Sequence, residues 1–183
     1  MNRSLLIFAR QMLACALFLL TFALSTALGS AQQHVPKPGS ATRSFRGFVV
    51  NLTLSTKAKA IMVERNETVI VAGYFYGFPK KGTRRKYIDD MGEVWVGKNI
   101  QAELRPGENA TFGEIKLDSR GLERVDENGP QLLINVFSGR RSSKDNLLSC
   151  GIYEGPLEKI EGGNIPISCK MITEEYPEFK PHN

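Results

Sequence analysis

Phe48-Val49-Val50-Asn51-Leu52-Thr53-Leu54 alternates residue by residue: Phe48, Val50, Leu52 and Leu54 fall on one face, Asn51 and Thr53 on the other. A period of two is the pattern of a half-buried strand. The stretch that follows changes period. Ala58, Ile61, Met62 and Arg65 recur at three-and-four spacing behind Ser55, so a short helix is expected over 57–65, with Ser55 as its N-cap and Asn66 near its end. Residues 68–75 are rich in β-branched and aromatic side chains and read as the next strand, and a turn-rich loop begins at Gly77. Two short strands are expected at 94–96 and 99–105, and Pro106-Gly107-Glu108-Asn109 reads as a hairpin connection into 111–117. The turn Asp126-Glu127-Asn128-Gly129-Pro130 precedes 131–137, which is apolar on both faces and reads as a central strand. Strands at 149–153 and 165–172 close the domain. Seven to eight short strands with one short helix define an all-β, antiparallel sandwich of immunoglobulin-like or transthyretin-like type.

The ends of the chain read differently. Residues 1–31 carry Arg3 and Arg10, a continuous apolar run over 12–24 and small residues up to Ala31, the three parts of a secretory signal peptide. An apolar run this short does not cross a bilayer core of roughly 30 Å, which takes about 20 residues. Met12-Leu13-Ala14-Cys15 has the look of a lipidation box, but most of the apolar run lies after the cysteine rather than before it. Residues 32–44 read as a flexible leader, 45–173 as the single sandwich domain and 174–183 as a frayed C-terminal tail. No second apolar span follows, so the mature chain is expected to have no transmembrane segment.

Composition narrows the partners. The 183 residues hold 24 Lys+Arg against 19 Asp+Glu, a net charge of +5, and are 42% hydrophobic and 23% charged. Wholesale disorder, collagen-like, coiled-coil and repeat architectures do not fit these numbers or the pattern. Loss of Arg3 and Arg10 with the signal peptide lowers the charge, so a nucleic-acid partner is not expected. Cys150 and Cys169 remain after export, and a pair in an exported chain is most simply one disulfide. The only histidines, His34 and His182, sit in terminal segments with nothing expected to position them. Cys/His metal ligation therefore lacks partners, histidine catalysis is not expected, and no cofactor is implied.

The remaining constellations are modest. Ser142-Ser143-Lys144 holds a Ser/Lys combination, but adjacent loop residues point apart and a solvated turn is the plainer reading. Asp89, Asp90 and Glu93 offer carboxylates for acid–base work or for a hard cation, with basic residues just upstream to neutralise them. The turn at Asp126 lacks the ligand spacing of a calcium loop. Asn51, Asn66 and Asn109 head N-x-Ser/Thr sequons, which matter only in a eukaryotic secretory pathway. The most informative feature is basic. Lys80, Lys81, Arg84, Arg85 and Lys86 crowd one loop flanked by Tyr76, Phe78 and Tyr87, and Arg140, Arg141 and Lys144 follow another strand. With strands alternating in direction, both loops are expected at one end of the sandwich as a single basic rim.

The runs ETVIVAGYFYGFP (67–79) and VFSGRRSSKDNLLSCGIYEGP (136–156) resemble exported bacterial β-sandwich proteins of unassigned function. The resemblance implies bacterial export, to the periplasm or medium, and the sandwich fold; it implies no activity. The residues together lead to an exported, non-enzymatic binding or accessory protein that uses the basic rim on an anionic envelope component or an acidic protein surface. The alternatives are an envelope hydrolase built on the carboxylates at 89–93 and a structural or secretion-system subunit.

Overall fold

A computed structural model describes residues 42–182. The expected signal peptide and most of the expected leader lie outside the described residues. The described chain is mostly strand, and two sheets face each other across one apolar core.

The first sheet is organised around β3 (Val69–Gly77), which pairs antiparallel with β8 (Gln131–Ser138) along almost its whole length. Its other edge takes β5 (Ile100–Leu104) and the two-residue β4 (Val94–Trp95), and β10 (Tyr153–Pro156) lies beyond β8. The second sheet runs in the order β6 (Ala110–Phe112), β2 (Phe48–Leu54), β11 (Asn164–Met171), β9 (Leu148–Cys150). The alternation of β2 buries Phe48, Val50 and Leu52. β11 does the same with Ile165, Ile167, Cys169 and Met171. These side chains meet Val69, Val71 and Phe75 of β3 and Leu132, Ile134 and Val136 of β8 in a single cluster. A small ribbon of β1 (Thr42–Phe45) and β7 (Ile115–Asp118) closes one side, and a bridge between Gly97 and Leu117 ties it to the first sheet.

Helix α1 (Thr56–Glu64) stands where the period changes. The Ser55 hydroxyl accepts from Ala58 N at 3.0 Å, and the spacing of Ala58 and Met62 lays both side chains into the core. Asn66 takes φ of 50°, a left-handed turn that Asn tolerates, and sends the chain into β3.

The described chain has eleven strands, three more than the periodicities delineate. β1 lies in the last residues of the expected leader. The 111–117 stretch is broken at Gly113 into β6 and β7, and the 149–153 stretch is broken at Gly151 into β9 and β10, which join different sheets. The expected hairpin at Pro106–Asn109 is not one. β5 pairs with β3 and β6 with β2, so this turn carries the chain from one sheet to the other. The Asn109 side chain holds that crossing by accepting from Leu52 N at 2.9 Å. Gly47 is required where β1 bends into β2, because a Cβ there would lie 1.9 Å from the Phe112 carbonyl oxygen. Among the described pairs only β2 and β11 run parallel. The stretch after Thr173, read as a frayed tail, begins inside the helical turn α3 (Ile172–Glu175), and residue 182 is hydrogen-bonded back onto residues 143–145.

Cys150 and Cys169 face each other across β9 and β11 and form a disulfide, with Cα atoms 4.0 Å apart. Replacing both by Ala releases a loop of about 20 residues and is expected to cost about 3 kcal/mol. Urea unfolding of the native and double-Ala chains, with and without reductant, checks this. Reductant should lower the native midpoint to that of the variant and leave the variant unmoved.

Candidate functional site

The β3–β8 register decides where the basic residues go. Tyr76 pairs with Gln131 and Val69 with Ser138. The loop leaving β3 therefore starts where β8 begins, and the loop leaving β8 starts where β3 begins. At about 3.4 Å per residue the two exits are roughly 25 Å apart. The single rim is thus corrected: Lys80, Lys81, Arg84, Arg85 and Lys86 occupy one end of the sheet, and Arg140, Arg141 and Lys144 occupy the other. The alternation argument fails because β4 and β5, consecutive in the chain, both pair antiparallel with β3 and so run in the same direction, and because the expected 111–117 strand is two.

The 139–146 loop is built around a buried acid. Glu67 is only 2% exposed, yet its carboxylate accepts from Thr68 N (2.9 Å), Arg141 N (3.1 Å), Ser142 N (2.7 Å) and the Ser142 hydroxyl (2.7 Å). Burial pushes its pKa up, but the hydrogen bonds from Ser142, Arg141 and Thr68 outweigh it and hold the carboxyl below its ordinary value of 4.5. Arg141 is used as well: Nε and Nη2 both bind Glu103 Oε1, at 2.9 and 2.7 Å. Arg140 sits at φ of 59°, and the Lys144 amide donates to the His182 carbonyl at 3.1 Å. Ser142 is thus committed to Glu67, not to Lys144. His182 is positioned after all, since its amide and its Nδ1 both lie 2.7 Å from Asp145 Oδ2. The Ser143 hydroxyl donates to the His182 carbonyl rather than to its ring, so the three groups form a clasp on the chain end and not a proton relay.

The opposite end differs. The 78–88 loop lies along residues 123–126: Lys80 N donates to Arg124 O, Asp126 N to Phe78 O, and Pro79 bridges Val125. This places Arg120 and Arg124, from the helical turn α2 (Ser119–Leu122) and just after it, beneath the loop. Tyr87 stacks under both Arg124, at 3.9 Å from the ring centre, and Lys86, at 4.9 Å. Lys86, by hydrogen bond and charge, and then Arg124 lower the Tyr87 hydroxyl below its usual range. Arg85 is spent closing the loop, donating to Ile88 O and Asp89 O and pairing with Asp90 at 3.6 Å. Among the described residues, Lys80, Lys81 and Arg84 have no carboxylate at ion-pair distance; with Arg124, Tyr87 and Glu123 they line a cleft of about 300 Å³. Tyr87 and Arg124 also line its neighbour, a cleft of about 490 Å³ that includes Lys86 and Arg120.

The three carboxylates at 89–93 do not converge. Asp89 Oδ1 accepts from Met91 N and Glu93 N, both at 2.9 Å, and so caps its own turn. Asp90 is fully exposed beside Arg85. Burial, with Asp89 and Glu154 nearby, raises the Glu93 carboxyl above its ordinary value. Glu154 in turn accepts from the Tyr76 hydroxyl, whose pKa burial and that carboxylate push upward. Asp126 likewise spends both oxygens on Asn128. Among the described residues no group of three or more His, Cys, Asp or Glu is placed to hold a metal ion.

Arg120 and Arg124 are the functional candidates that sequence reading missed. Their spacing of four was a faint signal of one helical face, but nothing local says that this segment underlies the 78–88 loop. Searches of protein-family models, curated proteins and solved structures find no match to the chain.

Glu67 gives the prediction. Because its folded pKa is lowered, its contribution is complete above the unfolded value of about 4.5 and disappears as the pH falls through the folded one. Glu67→Gln loses the charge and turns an NH₂ toward backbone donors, at an expected cost of about 2–4 kcal/mol at pH 7. In urea unfolding across pH, the variant should be less stable at neutral pH and its acid limb shallower than that of the native chain.

Proposed function

We propose that this chain is an exported, non-enzymatic binding protein that recognises an anionic envelope component through the 78–88 loop and the arginines beneath it. One observation carries the reading: Lys80, Lys81 and Arg84 stand without carboxylate partners over a cleft that Arg124 closes from below. Cations held by a folded loop and left unpaired keep their attraction for an anion, whereas Arg85 and Arg141 have already satisfied theirs. Export is supported by the tripartite pattern of residues 1–31 and by the disulfide; the resemblance to exported bacterial sandwich proteins points the same way. Among the described residues no helix is long and apolar enough to cross a membrane. The non-enzymatic reading rests on what the polar groups do: Ser142, Asp89, Asp126 and the His182 ring are each bound to a structural partner.

The test is co-sedimentation with vesicles of anionic phospholipid against vesicles of zwitterionic phospholipid alone. Binding is expected only to the first and should weaken as salt rises. Lys80→Gln/Lys81→Gln/Arg84→Gln should weaken it about a hundredfold, at roughly 1 kcal/mol per basic residue. Arg140→Gln/Lys144→Gln, at the other end of the sheet, should leave it unchanged. Equal binding by the triple variant would overturn the assignment.

A further inference from the structure

The two cationic clefts continue into a third of different character. Trp95 and Asp118 line the 490 Å³ cleft on one side, and both also line a cleft of about 640 Å³ on the other. Its floor is apolar, formed by Trp95, Gly97, Ile100 and Ile115, with Lys98 and Lys116 at its rim. Trp95 is 46% exposed, an unusual state for an indole with an apolar cleft beside it; Tyr74 meets it edge-on at 6.4 Å. Tyr87 joins the first cleft to the second and Trp95 joins the second to the third. A single track therefore runs from Lys80, Lys81 and Arg84, past Lys86, Arg120 and Arg124, to an apolar floor. Among the described residues its acidic groups are four. Asp118 accepts from the Arg120 and Gly121 amides, Asp89 caps its own turn, Glu114 pairs with Lys116 at 3.9 Å beside the apolar floor, and Glu123 lines the cationic cleft.

Resting on the anion-binding reading above, we propose that the ligand is an anionic lipid: its phosphate-bearing head lies against Lys80, Lys81 and Arg84, and its hydrocarbon chain lies along Trp95, Ile100 and Ile115. An inorganic anion or an acidic protein face uses only the cationic end and leaves the apolar floor in water. A neutral apolar ligand uses only the floor. An amphiphile alone matches the change of character along the track, and each of the joined clefts is of the size of a ligand site.

Trp95 is the only tryptophan of the chain, so its emission reports the junction directly. Octyl, decyl and dodecyl phosphate, each below its critical micelle concentration, would be titrated into the purified protein beside inorganic phosphate and dodecyl maltoside. The alkyl phosphates should shift the emission to the blue saturably, with affinity rising roughly fourfold per methylene, the ratio for a CH₂ leaving water. Inorganic phosphate should compete without shifting the emission. The triple Gln variant at Lys80, Lys81 and Arg84 should bind dodecyl phosphate at least tenfold more weakly while keeping the dependence on chain length. Affinities that ignore chain length and equal that of inorganic phosphate would overturn the lipid and leave the anion reading standing. Dodecyl maltoside binding as tightly as dodecyl phosphate would overturn the charged head. A blue shift produced by raising protein concentration alone would give the groove to a second copy of the chain. Failure of both phosphate and alkyl phosphates to bind, together with loss of the vesicle difference, would remove both readings.

Discussion

The antiparallel ladder between β3 and β8 is the constraint on which the other features depend. β3 is buried on both faces: Val69, Val71 and Phe75 point into the sandwich, and Ile70, Ala72 and Tyr76 are also almost wholly covered. A strand of this kind has to be central, since exposing either face would return apolar area to water at about 25 cal/mol per Å². Packing around it is close enough that a Cβ at Gly73 would come within 2.7 Å of Ile100 Cγ1. Once β8 is fixed beside it from Val69–Ser138 to Tyr76–Gln131, every connection leaving the pair is assigned to one end or the other. The chemistry of the molecule follows that division. One end becomes a loop folded on an internal carboxylate, and the other a loop folded on two arginines.

Charge is used in two ways here, and the distinction is structural. Arg141 places two guanidinium nitrogens on the one oxygen Glu103 Oε1, and Arg85 donates to the loop carbonyls of Ile88 and Asp89. Their charge organises the backbone and is largely cancelled locally. The cations at Lys80, Lys81 and Arg84 project from a loop whose own polar groups are satisfied by the backbone of residue 124, so holding the loop does not consume them. Counting basic residues along the chain merges these two populations. Only the hydrogen-bond partners separate them.

Much of the fold was legible in short-range pattern. The period of two in residues 48–54 and the Ser55 cap sufficed for β2 and the start of α1. Apolar residues on both faces of 131–137 marked β8 as central, and a lone cysteine pair gave the disulfide. These are readings of which face meets water, a property each segment carries by itself. Partnership between segments is another matter. Nothing in 106–109 distinguishes a hairpin from a crossing between sheets; the choice falls to Leu52 N, which needs an acceptor and finds Asn109. Nothing local marks Glu67, because its burial is made by the amides of a loop far along the chain. The 78–88 loop was recognised as basic, but its complement at Arg120 and Arg124 comes from a segment brought beneath it by the Pro79–Val125 bridge and the backbone hydrogen bonds on either side.

The parallel pairing of β2 with β11 has a consequence in time. Val50 lies beside Ile165 and Leu54 beside Cys169, so β2 is completed by a strand made only after β3 to β10. Until β11 is available, β2 has only the three residues of β6 to pair with. Long-range closure of this kind is slow relative to local hairpins and leaves an open strand edge while it waits. The disulfide closes on the neighbouring ladder, joining β9 to β11 at Cys169, the residue that also ends the pairing with β2. Folding and oxidation are therefore both coupled to the arrival of β11, and a ribosome-bound fragment that lacks it would carry β2 as an unfinished edge.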